Sequence, residues 1–123
     1  MVVKSKTILE RAFFGKQNCL KVQLNDKGEF YFQFGQEKDK WEWKNIKMND
    51  GELGEILGVI EGKKSSCSFI HDFKGDKTQL WISTNEGSMF FKIKEMTKAI
   101  NGGEVTVMRE LIKHSIVRMS IKI

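Results

Sequence analysis

One stretch divides this chain and restricts what it can become: a capped helix set between two runs of alternating strands. Asn49 can accept a hydrogen bond from the first helical turn. Glu52, three residues on, can reach back to the Asn49 amide, so the two read as a capping box. Leu53, Ile56, Leu57 and Ile60 follow at the i, i+3, i+4, i+7 spacing of one buried helix face. Gly62 stands where a left-handed turn would end the helix. Gly54 and Gly58 lie one turn apart on one side, each costing the helix about 0.8–1 kcal/mol relative to alanine. Either something packs there closer than a Cβ would allow, or the helix is weak and held by its neighbours.

Before the helix the pattern has period two. Val2 to Phe14 reads as a long strand, with Val3, Thr7, Leu9 and Phe13 on one parity and Lys4, Lys6, Ile8 and Glu10 on the other. Gly15 to Asn18 is turn chemistry. Cys19 to Leu24 then alternates, Leu20, Val22 and Leu24 against Lys21 and Gln23. Asn25-Asp26-Lys27-Gly28 signals a hairpin. Glu29 to Phe34 sets Phe30, Phe32 and Phe34 against Tyr31 and Gln33, and Lys40 to Met48 carries Trp41 and Trp43 on one face. Beyond the helix the pattern restarts. Ser66 to Phe73 places Cys67, Phe69, His71 and Phe73 together. Thr78 to Thr84 opposes Leu80 and Ile82 to Trp81, and Ser88 to Ile93 opposes Met89, Phe91 and Ile93 to Phe90 and Lys92. Glu95 to Ile100 is a short eighth strand if it pairs. From about Gly103 the spacing predicts a helix, with Val105, Met108, Leu111, Ile112, Ser115, Ile116 and Met119 as a broad apolar stripe and Asn101-Gly102-Gly103 as its cap.

Four strands, a helix, three or four strands and a helix predict an α+β fold with two antiparallel β-sheets. Short turns join consecutive strands, so no crossover helices are needed. A length of 123 residues predicts one domain spanning 1–123, and 40% hydrophobic content is enough to build a core. No apolar run nears the ~18 residues that cross a membrane. The N-terminus lacks the uninterrupted apolar segment of a secretory signal, so a cytoplasmic protein is expected. Cys19 and Cys67 form neither a metal pair nor a disulfide framework, and read as buried free thiols.

An enzyme is not expected. His71 and His114 are the only histidines, and neither sits in a nucleophile, zinc or phosphate-loop motif. No metal site and no cofactor are predicted. Binding has more behind it. The formal charge is +5 and favours an anionic partner, and most of that excess lies early, where Lys4, Lys6, Arg11, Lys16 and Lys21 face Glu10 alone. Single-stranded nucleic acid is held by cations along its backbone and aromatic faces against its bases. Tyr31, Trp81 and Phe90 stand opposite the apolar parity of their strands, with Lys92 beside Phe90, and they are the candidate base contacts. A structural module whose aromatics are interface core is the alternative from another class.

Gly51-Glu52-Leu53-Gly54-Glu55-Ile56-Leu57-Gly58 and Ser66-Cys67-Ser68-Phe69-Ile70-His71-Asp72 resemble, in order and spacing, the centre of the Whirly family of single-stranded-DNA-binding proteins. The similarity runs from Lys4 to about Met119. It implies two four-stranded sheets in a strands–helix–strands–helix order, with helices that build a homotetramer. It implies single-stranded DNA as partner, bound with low sequence specificity in replication, recombination or repair. RNA binding or transcription regulation on the same architecture is the alternative. The family's Lys-Gly-Lys motif corresponds to Lys4-Ser5-Lys6, with serine in place of glycine, and its tyrosine-aspartate-tryptophan is best matched by Trp43. The expected nucleic-acid contacts are therefore Lys4, Lys6, Lys21, Tyr31, Trp43, Trp81, Phe90 and Lys92.

Overall fold

The computed structural model describes residues 5–121. Lys4, Val3 and Val2 lie outside them, and with them the first part of the expected N-terminal strand. Ten elements follow in order: β1 (Thr7–Phe14), β2 (Asn18–Asn25), β3 (Phe30–Glu37), β4 (Trp41–Met48), α1 (Asp50–Ile60), β5 (Ser66–Phe73), β6 (Asp76–Asn85), β7 (Ser88–Ile93), β8 (Met96–Asn101) and α2 (Gly103–Ser120). The eighth strand pairs with β7 from Ser88↔Asn101 to Ile93↔Met96. The strands form two antiparallel meanders, β1-β2-β3-β4 and β5-β6-β7-β8, each in chain order.

Alternation decides the faces. Leu20, Val22, Leu24, Phe30, Phe32 and Phe34 point inward from the first sheet, and Leu80, Ile82, Met89, Phe91 and Ile93 from the second. The two sheets meet through aromatic rings: the Phe91 centroid is 5.8 Å from that of Phe32 and 6.2 Å from that of Phe34. Each such buried ring contributes about 1.5–3 kcal/mol by leaving water. The strand reading departs from the structure in its bounds, since β3 continues past Phe34 to Glu37 and β6 starts at Asp76, and in its alternation at β1. The β1–β2 register slips between Thr7 and Leu9, so Thr7 is exposed although Leu9, its expected partner on one face, is half-buried.

The helix α1 begins as its sequence dictates. Asn49 Oδ1 accepts from the Glu52 amide at 2.8 Å, and Glu52 Oε1 accepts from the Asn49 amide at 2.9 Å. It stops through a Schellman turn, in which the Gly62 amide donates to Val59 O and the Lys63 amide to Gly58 O. Gly62 takes φ +79°, a left-handed conformation open to glycine at little cost. Its buried residues are Leu53, Ile56 and Val59, with Leu57 and Ile60 packed at the margin. Val59 thus joins the inward face. The close-packing alternative for the two helical glycines is not met within the chain. A Cβ at Gly54 would meet nothing within 4 Å among the described residues, and one at Gly58 only the Lys64 side chain at 3.7 Å.

The helix α2 packs against α1 and β8. Met108, Ile112 and Ser115 are buried, while Val105, Leu111, Ile116 and Met119 lie partly covered. Its N-cap is Gly102, which offers no side-chain acceptor; instead Glu104 Oε1 accepts from the Asn101 amide at 3.4 Å. The tripeptide expected to cap this helix therefore does so without a side-chain bond from the capping residue.

Candidate nucleic-acid interface

The outward faces of the sheets carry the predicted contacts, and they fall into two groups. On the second sheet, strand pairing sets Ser68, Trp81, Lys92 and Thr97 in one row and Ser83, Phe90 and Ala99 in the next. Trp81 and Phe90 are 43% and 42% exposed, diagonal neighbours on a solvent-facing surface. The Lys92 ammonium lies 5.8 Å from the Trp81 ring centroid, within cation–π range. A groove of about 570 Å³ runs over this surface, lined by Trp81, Ser83, Phe90, Lys92 and Thr97, with Asn18 of the first sheet on its flank. Asn18 is fixed there, because its Nδ2 donates to Thr97 O at 2.9 Å.

On the first sheet, Lys21, Tyr31 and Trp43 share the outward face. Gln23 pairs with Tyr31 and Tyr31 with Lys47, while Cys19 pairs with Gly35 and Gly35 with Trp43. Trp43 is 48% exposed and Trp41, two residues before it, 41%. Their rings stack, with centroids 5.8 Å apart and planes 22° from parallel. The Lys21 ammonium stands 5.4 Å from the Trp43 ring and 3.7 Å from Glu10 Oε1. Tyr31 is only half-exposed.

Lys6 joins neither group. Its amide donates to Asp26 Oδ1 at 3.0 Å and its carbonyl accepts from the Asp26 amide at 2.8 Å. That holds it at the Asn25 end of the first sheet, whereas Trp43 lies at the Cys19 end. Lys4 lies outside the described residues.

Three contributors were not among the expected contacts. Trp41 had the same parity as Trp43 and was legible on that ground. Gly35 lay beyond the expected Glu29–Phe34 strand and carried no signal, whereas β3 runs through it to Glu37. Lys98 shares the parity of Met96 and Ile100, and its stem follows them into the interior; the side chain is buried and its ammonium donates to Ala99 O at 3.1 Å.

Several other titratable groups build structure. Burial raises the pKa of both the Cys19 and Cys67 thiols above the ordinary value, which keeps them protonated and poor as nucleophiles at neutral pH. A hydrogen bond from Lys47, and then one from Asn25, lowers the Glu29 pKa, while the same Lys47–Glu29 contact raises that of Lys47. His71 Nε2 lies 2.6 Å from Glu52 Oε2, tying β5 to the capping box. No cluster of three or more potential metal ligands occurs among the described residues, and no helix among them is long and apolar enough to cross a membrane.

No protein-family model matches the chain, and no curated protein proves similar to it. The residues and their arrangement therefore carry the functional argument.

Proposed function

We propose that this protein binds single-stranded DNA with low sequence specificity, as a binding protein and not an enzyme, in replication, recombination or repair. The observation that carries the reading is the surface of the second sheet. Two large aromatic side chains, Trp81 and Phe90, stand outward in water beside Lys92 and along a groove. An exposed ring next to a cation matches what a single strand offers, a base with its phosphate. Every base has a π-face, so such a surface discriminates little among sequences. The basic charge and the Whirly-like centre of the chain support the same reading.

The proposal includes a homo-oligomer, a tetramer if the family resemblance extends to assembly. Ile8, Val117 and Ile121 are exposed around a groove of about 530 Å³ at the C-terminal end of α2. They form the surface offered for that contact. A cytoplasmic setting belongs to the proposal as well.

The test is a tryptophan-fluorescence titration with a single strand of about 30 nucleotides at several salt concentrations, against duplex of the same sequence. Single strand should bind far more tightly, with a slope of log K on log salt near −0.7 per phosphate contacted. Trp81→Ala should weaken binding by about 1–3 kcal/mol, one stacked base, without altering the fold. Equal or absent binding to both forms would sink the proposal. An RNA strand that outcompetes DNA of the same sequence would move the assignment to RNA.

A further inference from the structure

We infer that Trp41 and Trp43 form a second base-stacking platform, on the opposite sheet from Trp81 and Phe90. The inference rests on the nucleic-acid reading above.

Both indoles lie on the outward face of β4, the last strand of its sheet, exposed although burial of either would be strongly favourable. They are already stacked on one another, which leaves a broad aromatic surface ordered before a ligand arrives. Such preordering lowers the entropy lost on binding.

Gly35 makes the arrangement possible. It pairs directly with Trp43, and a Cβ built there would lie 2.8 Å from Trp43 Cζ3 and 2.9 Å from Cε3 and Cη2. The clashing atoms belong to a rigid ring, which cannot yield by rotating a flexible end. The indole therefore lies flat across bare backbone, and Lys21 approaches it at 5.4 Å.

The surroundings favour a nucleic acid over a protein partner. A groove of about 460 Å³ borders Trp43, and Lys38, Glu42, Lys44, Lys94 and Glu95 contribute to its walls. Cores of protein interfaces are depleted of such charges, and although these walls carry both signs, with Glu42 and Lys44 on the other side of β4, the cation on the face of the indoles themselves is Lys21. The wall lysines are paired only loosely and at the surface: Lys38 with Glu42 at 3.5 Å, and Lys44 and Lys94 with Asp76 at 3.5 and 3.6 Å. Exchange of such exposed partners for phosphate costs little.

The experiment uses the full chain and thymidine oligonucleotides of about 30 nucleotides, long enough to span several stacked bases. Trp81→Phe leaves Trp41 and Trp43 as the only indoles, and its emission should still be quenched on titration. Trp41→Ala, Trp43→Ala and Gly35→Ala should each weaken binding by roughly 5- to 150-fold, the worth of one stacked base, with unchanged circular dichroism. Gly35→Ala is the sharper variant. It retains both indoles and displaces one, so in the Trp81→Phe background it should reduce the quenching itself, which a merely structural role would not do. Full affinity in these three variants, together with unquenched emission in Trp81→Phe, would overturn the second platform while leaving the Trp81 surface intact. Failure of the unaltered protein to bind any oligonucleotide would overturn both readings and turn the indole pair over to protein contact.

Discussion

Ser115 sits on the inward face of α2 with no exposed surface, and its hydroxyl oxygen has no hydrogen-bond partner among the described residues. A buried, unpaired hydroxyl costs about 1–3 kcal/mol in lost hydration. Ser115→Ala removes it and installs a better helix former, so the chain should gain about 1 kcal/mol, read as a higher urea midpoint with an unchanged slope. A loss of stability would mean that the hydroxyl is satisfied by a partner beyond the described residues. Ser115 was visible in the sequence as one position of an apolar stripe, but its lack of a partner was not, since that depends on what faces it. Trp41 and Trp43 make the same point. Parity put them on one side of a strand, whereas the seat of Trp43 against Gly35 arises only when β3 is laid beside β4.

At the scale of elements, α1 was legible from end to end, because caps and stops are local. Its capping box joins residues three apart, and its Schellman turn closes within the last turn. Nothing in those bonds waits for tertiary structure. The interior glycines are different, since only packing could say whether they were needed. Gly54 faces open space, so Gly54→Ala should raise the stability of the isolated chain by about 0.8–1 kcal/mol, the glycine–alanine propensity difference, measured by chemical denaturation. A loss would show that another copy or a ligand packs closely against that face. The strands were legible for a related reason. Alternation reports which side is buried, and turns such as Lys74-Gly75 and Glu86-Gly87, all at positive φ, mark where hairpins close. The N-terminal strand is the exception. Its register slips between Thr7 and Leu9, and a bulge depends on the partner strand as much as on its own residues.

At the scale of the whole molecule, an apolar surface stands exposed at the C-terminal end of α2. Ile8, Val117 and Ile121 come from opposite ends of the chain and are exposed together. If they meet another copy, Val117→Glu should place a charge in that contact and shift the protein toward monomer in light scattering, with its secondary structure retained. A native protein that is already monomeric at high concentration would refute the assembly. The two aromatic groups also belong to this scale. Each is built within one sheet, and the two sheets meet beside them where the β7–β8 hairpin lies next to β4 and Asn18 reaches Thr97.

Local chemistry by itself determined the two meanders, the helix between them and the side of each strand that faces water. Periods of two and 3.6 residues, caps and turn residues are all written in neighbouring positions. It also determined that Trp81, Phe90 and Lys92 would share one outward surface, because pairing along a short hairpin is nearly local. Only the tertiary structure decided that Lys6 stands apart from the aromatic groups, that Lys98 is buried at a sheet junction, and that Gly35 seats Trp43. Those outcomes are set by the distance between residues far apart in the chain, and that distance exists only once the sheets have packed.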